Sequence, residues 1–182
     1  MDLVERVKAI LASPKIEWRT IADEPGDPAY LFANYVAVLA AIPAVCGFLG
    51  AAIFSSRLGV GKAFFYAIVS YVLSFVVVYL AGLIADALAP SFGGRKSQPG
   101  ALKIVVYSMT PAWLAGVFLL IPSLRFLTIL GLYAFYLFWV GAPALMKTPN
   151  DKAAPYTAAT AICAIVIFVV VILIVKAVGV AP

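Results

Sequence analysis

The chain has 182 residues, is 65% hydrophobic and only 12% charged, and carries a net charge of +5. A soluble domain holds about twice that charge fraction, so a water-soluble globular fold is excluded as the main architecture. The cations are scattered among loops rather than grouped on one aromatic-interleaved face, which argues against a nucleic-acid partner.

Residues 2–12 place Leu3, Val4, Val7, Ile10 and Leu11 at helical spacing, with Glu5, Arg6 and Lys8 opposite. That pattern predicts a short amphipathic helix lying in the headgroup region, ended by Ser13-Pro14. Trp18 and Ile21 then read as an interfacial anchor. The stretch Asp23-Glu24-Pro25-Gly26-Asp27-Pro28 reads as a turn, so residues 1–32 form a cytoplasmic lead-in.

Residues 33–182 read as one membrane domain, because five apolar runs follow at about 33–54, 63–89, 101–121, 124–146 and 155–178. Each reaches roughly 20 residues, the length a helix needs to cross about 30 Å of hydrocarbon. The first run exceeds the apolar core of about 7–15 residues found in a secretory signal, so it is expected to remain as an anchor. The fold class predicted is all-α: a polytopic integral membrane bundle of five transmembrane helices with a short amphipathic N-terminal helix.

In the first run Ala33, Ala37, Ala40, Ala44, Gly47 and Ala51 form a small-residue stripe, and Ala81, Ala85 and Ala89 form another in the second. In lipid, such stripes let helix backbones approach, here within the bundle or, as the sharper alternative, in a homo-oligomer. Pro43, Pro111 and Pro143 are expected to kink their helices. The connection around Pro122-Ser123 is short enough to make the third and fourth spans an antiparallel hairpin.

The Lys and Arg residues divide unevenly. Arg6, Lys8, Lys15, Arg19, Arg95, Lys96, Lys103, Lys147 and Lys152 fall on one side, and Arg57, Lys62, Arg125 and Lys176 on the other. Basic loops stay inside, so the N-terminus is predicted cytoplasmic and the C-terminus periplasmic, in a cell inner membrane.

Little chemistry is visible. There is no histidine, which removes the commonest general base and metal ligand. Cys46 and Cys163 lie inside runs and read as small apolar residues, with no zinc site or disulfide framework. Asp86 reads as a helix-end residue. The expectation is a protein that is not an enzyme and uses no cofactor or metal. The densest polar patch is Tyr107, Ser108, Thr110 and Pro111, read as bundle glue or as the wall of a small cavity. Lys147, Pro149, Asp151 and Lys152, with Trp18, read as a cytoplasmic loop or partner contact.

Several segments together resemble the YIP family (the Ypt-interacting-protein membrane domain) in its bacterial branch. They are the lead-in Pro14, Trp18, Ile21 and Glu24; then Tyr107, Thr110 and Pro111; then Tyr136 through Gly141, Leu145 through Lys152, and Tyr156-Thr157. The resemblance implies five spans with a cytoplasmic N-terminus and no catalytic residues. Eukaryotic relatives act in vesicle traffic with small GTPases, a role not carried over to this chain. The expected function is a non-enzymatic inner-membrane protein that organises membrane or binds a protein partner. The alternative is a small channel or transporter for an ion or small solute. The bilayer is the expected partner in either case.

Overall fold

A computed structural model describes residues 2–54 and 59–177, without the side chains of residue 172 and of residues 174–177. Arg57, the Lys176 side chain and the predicted end of the fifth run at Val178 lie outside the described residues. Two short helices, α1 (Leu3–Ala12) and α2 (Pro14–Asp23), precede five long ones. These are Pro28–Phe54, Val60–Phe92, Gln98–Leu120, Pro122–Leu145 and Asn150–Ala177, here called the first to fifth spans. All five are long and apolar enough to cross a membrane. Among the described residues, every regular element is helical.

The helices start earlier than the apolar runs, because caps rather than hydropathy set a helix's first turn. Asp27 accepts from the backbone N–H groups of Ala29 (2.9 Å) and Tyr30 (3.3 Å), and Pro28 needs no donor at the first helical position. The first span therefore begins at Pro28, not at residue 33. Ser97 caps the third span the same way, accepting from Gly100 N–H at 3.2 Å. Asp86 accepts from Ser97 N–H at 2.7 Å, so this helix-end acid ties the second span to the start of the third. The fifth span begins at Asn150, which places Pro155 inside it rather than at its start.

The lead-in differs from expectation in kind. Pro14 does not stop helical structure. It opens α2, since proline's fixed φ suits a first turn whose N–H groups have no partner anyway. Nor does the lead-in lie free on the membrane surface. Ile10, Trp18 and Ile21 are fully buried in the same core as the spans.

The third span is the axis of the bundle. Within its most apolar stretch 67% of residues are buried, against 17% to 28% in the other spans. Every residue from Gly100 to Ser108 is buried. α1, α2 and the first, second and fourth spans surround it, so it shows no preferred apolar face. The other spans turn large apolar side chains outward, among them Phe65, Val72, Phe126 and Ile162, as lipid-facing surfaces require.

Small residues set the closest approaches. A Cβ on Gly82 would fall 2.5 Å from Leu102, and the predicted stripe Ala81, Ala85 and Ala89 is buried beside it. Between the first and third spans the closest points are Gly116 on Pro43 and Gly50 on the Leu119 carbonyl. The predicted first-span stripe is only partly used: Ala40 is buried and Gly47 meets Leu119, while Ala33 is exposed. A π-helical turn at Phe32–Val36 breaks the helical phase between Ala33 and Ala40, so one continuous stripe cannot run through it. Ala40, Gly47, Ala81, Ala85 and Ala89 serve contacts inside the chain.

The third and fourth spans form the expected hairpin. Only Ile121, in extended conformation, separates them. Their adjoining ends, Gly116–Leu120 and Pro122–Leu132, wind as 3₁₀ helix, which gains about 2.0 Å per residue instead of 1.5 Å. Gly131 rests on the Ala112 backbone.

Candidate functional site

The polar groups that the apolar runs lack are gathered at the end of the bundle that carries the N-terminus. Arg6 of α1 is buried and forms ion pairs with Glu17 of α2 and with Glu24 just beyond it. Its guanidinium also lies over the Tyr107 ring, 5.6 Å from the centroid, a cation–π distance. Burial works against the charge of Arg6. The hydrogen bond and field of Glu24, together with the field of Glu17, outweigh it and hold the pKa above the ordinary guanidinium value.

Lys103 completes the cluster from the third span. It is buried, and its Nζ donates to the carbonyl oxygens of Ile21 (2.8 Å) and Glu24 (2.6 Å). Those carbonyls belong to the last turn of α2 and the residue after it, where helical partners run out and the dipole is negative. One ammonium therefore satisfies two stranded acceptors and fastens α2 to the core helix. Two buried cations that the charge tally assigned to loops are thus structural. The exposed cations at this end are Lys8, Lys15, Arg19, Arg95, Lys96, Lys147 and Lys152.

Trp18 sits at the centre. A Cβ on Gly141 would lie 2.6 Å from its indole, and the Tyr107 ring meets it edge-on at 6.3 Å. Tyr107 in turn meets Tyr35 edge-on at 4.7 Å. Tyr35 and Thr110 share a hydrogen bond of 2.7 Å, and Thr110 donates to the Tyr107 carbonyl at 2.6 Å. Nearby, Tyr156 donates to the Ala85 carbonyl at 2.7 Å and packs on Phe92 and Phe138. The segments carrying the family resemblance, far apart in sequence, meet in one aromatic and ionic knot.

Beside this knot lies a cleft of about 540 Å³. Asp27, Tyr30, Asn34, Tyr35, Lys103 and Tyr107 line it, with Arg6 and Glu24 at its edge. The π-helical turn in the first span supplies Asn34 and Tyr35, and such turns recur at functional sites.

The predicted patch is divided by the structure. Tyr107 lines the cleft, and Thr110 holds Tyr35. Ser108 is buried with no hydrogen-bond partner among the described residues, and Pro111 is buried at the restart of the helix after Met109. The predicted loop group is divided too. Lys147, Pro149, Asp151 and Lys152 are exposed together, whereas Trp18 is 1% exposed and does not belong with them. Trp18 is thus buried rather than exposed as a partner contact or interfacial anchor would be: its indole fills the hollow over Gly141.

The loop containing Lys147 is well supported. Lys147 adopts a left-handed φ of 54°. Arg95 N–H donates to the Met146 carbonyl at 2.8 Å, and Gly94 is pressed against Met146 and Thr148 with no space for a side chain. The second and fourth connections thus form one surface.

Arg6, Glu17 and Lys103 were not legible as site residues. Arg6 and Glu17 look like ordinary polar-face positions, and Lys103 looks like a flank of the third run. Trp18 and Tyr107 were legible as an anchor and as part of a polar patch, and Glu24 only as part of a turn and a spaced motif.

A family model, the Yip1 domain, matches residues 8–173. The chain is also similar to inner membrane protein YohC of Escherichia coli strain K12 and to its counterpart in strain O6:H1. Each is 22% identical over 169 residues, covering 86% of this chain and 87% of the relative. No solved structure matches. The chain belongs to the Yip1 family, and its five apolar helices make it a multi-pass membrane protein.

Proposed function

We propose that this Yip1-family chain is a non-enzymatic inner-membrane protein that organises membrane or binds a protein partner at the bundle end bearing its N-terminus, and that this end faces the cytoplasm. The observation that carries the reading is the rigid basic surface at that end. α1 and α2 are locked to the core by Arg6 and Lys103, and exposed cations from α1, α2 and both adjoining connections surround them. The lead-in acts as part of a platform rather than as a mobile arm. Excess exposed cations favour the cytoplasmic side, and the relatives' name places them in an inner membrane. The acids of the cluster support a non-catalytic role, since Glu17 and Glu24 are engaged by Arg6.

The test is site-specific photo-crosslinking in cells from positions 96 and 152, repeated with R95E and K147E combined. Discrete crosslinks that the charge-reversed chain loses are expected. A crosslink pattern unchanged by the reversal sinks the partner-binding reading.

One observation favours a channel or transporter as a second reading, the cleft lined by Asp27, Lys103, Tyr35 and Tyr107. Beyond it the first and third spans close at Pro43–Gly116 and Gly50–Leu119. Liposomes holding the chain and showing no flux for a panel of ions and small solutes would dispose of this reading.

A further inference from the structure

A second concavity, of about 520 Å³, runs between α2, the C-terminal half of the fourth span and the first turn of the fifth. It has a polar rim and an apolar wall. The rim carries Lys15, Arg19 and Asn150; the wall is built from Tyr136, Trp139 and Val140. Lys15 and Arg19 stand four residues apart on one helix, so their side chains share a face. Both are exposed, and neither joins an ion pair among the described residues.

The polarity changes along the direction a lipid would lie. Lys15 and Arg19 belong to α2, outside the spans, and Asn150 is the first residue of the fifth. Trp139 is six residues before the end of the fourth span at Leu145, about 9 Å deeper at 1.5 Å per residue. Trp139 and Tyr136 are 45% and 37% exposed, so the wall offers aromatic surface to a ligand lying along it. Next to Lys15, Ile16 is 70% exposed, an apolar contact for the membrane surface. Trp18 also lines the groove, and its indole N–H is buried without a partner among the described residues.

We propose that this groove seats one anionic phospholipid from the leaflet at the N-terminal end. The phosphate sits between Lys15 and Arg19, within reach of the Asn150 amide, and an acyl chain follows Tyr136, Trp139 and Val140. Charge complementarity selects an anionic headgroup over a zwitterionic one. The wall that descends into the hydrocarbon selects a lipid over a soluble phosphate.

The experiment measures lipid retained by the full-length chain, by native mass spectrometry after delipidation and back-titration with phosphatidylglycerol or phosphatidylcholine. Phosphatidylglycerol is expected to be retained at one per chain, and phosphatidylcholine far less. K15Q and R19Q should each weaken phosphatidylglycerol retention about fivefold, from the worth of one cation near an anionic surface. The control pair K96Q and K152Q, exposed cations elsewhere at the same end, should leave retention unchanged. Equal retention of the two lipids overturns the proposal, as does wild-type retention in K15Q/R19Q. A loss of equal size in the control pair also overturns it, because it would reveal a diffuse field rather than a seat. Both groove cations are exposed, so their removal leaves the core intact.

Discussion

Trp18 rests on Gly141 with no space between them: a Cβ at position 141 would lie 2.6 Å from the indole Cε2 and 2.9 Å from Cδ2. A fused ring wedged in the core cannot yield as the tip of a flexible side chain would. Gly141→Ala is therefore expected to push Trp18 outward and loosen α2, at a cost of about 1–3 kcal/mol. Faster protease cleavage within residues 1–27 of the detergent-solubilised chain is the readout. Unchanged cleavage would mean that α2 is not held at this point.

The two acids on Arg6 are unequal. The Glu17 side chain is buried with Arg6, whereas the Glu24 side chain is 35% exposed. Glu17→Gln leaves a buried cation short of its buried partner, which costs about 3–5 kcal/mol. Glu24→Gln breaks a partly solvated pair worth about 1 kcal/mol or less. Denaturation midpoints in micelles should fall in that order, and a larger effect from Glu24 would refute the assignment.

Lys103 should be felt in α2 rather than in its own span. Lys103→Met keeps length and removes the donor to the Ile21 and Glu24 carbonyls. Leaving those acceptors stranded costs about 1–3 kcal/mol. Amide hydrogen exchange over residues 17–27 should accelerate while the second span stays protected. Uniform acceleration across both would indicate global destabilisation instead.

Gly50 and Gly61 offer a matched pair. At Gly50 a Cβ would lie 2.3 Å from the Leu119 carbonyl oxygen, while at Gly61 nothing among the described residues lies within 4 Å. Gly50→Ala must part the first and third spans and should destabilise by about 1–3 kcal/mol. Gly61→Ala, inside a helix, should be neutral or gain up to about 1 kcal/mol. Similar melting temperatures for the two variants would count against this crossing.

Orientation is checked with single cysteines in a chain lacking Cys46 and Cys163. Positions 96 and 152 should resist a membrane-impermeant maleimide in intact cells, and positions 62 and 125 should react. The reverse pattern would invert the proposed topology.

Length and hydropathy in the sequence determined that five helices cross a bilayer, because crossing hydrocarbon demands about 20 apolar residues in a row and nothing subtler. Spaced motifs at Trp18, Tyr107 and the fourth-span exit were enough to indicate the family, since side-chain types at fixed separations are read directly from the chain. Helix starts were less legible, because Asp27 and Ser97 act through one or two cap hydrogen bonds outside the apolar window. Only the tertiary structure decided that one face of α2 packs into the core, and that Arg6, Glu17, Glu24 and Lys103 form one cluster. Lys103 and Ile21 are 82 residues apart, and no local periodicity encodes such a pairing. A buried cation looks like a loop cation until the fold brings carbonyls and carboxylates to it, because what stabilises its charge is the geometry of distant partners.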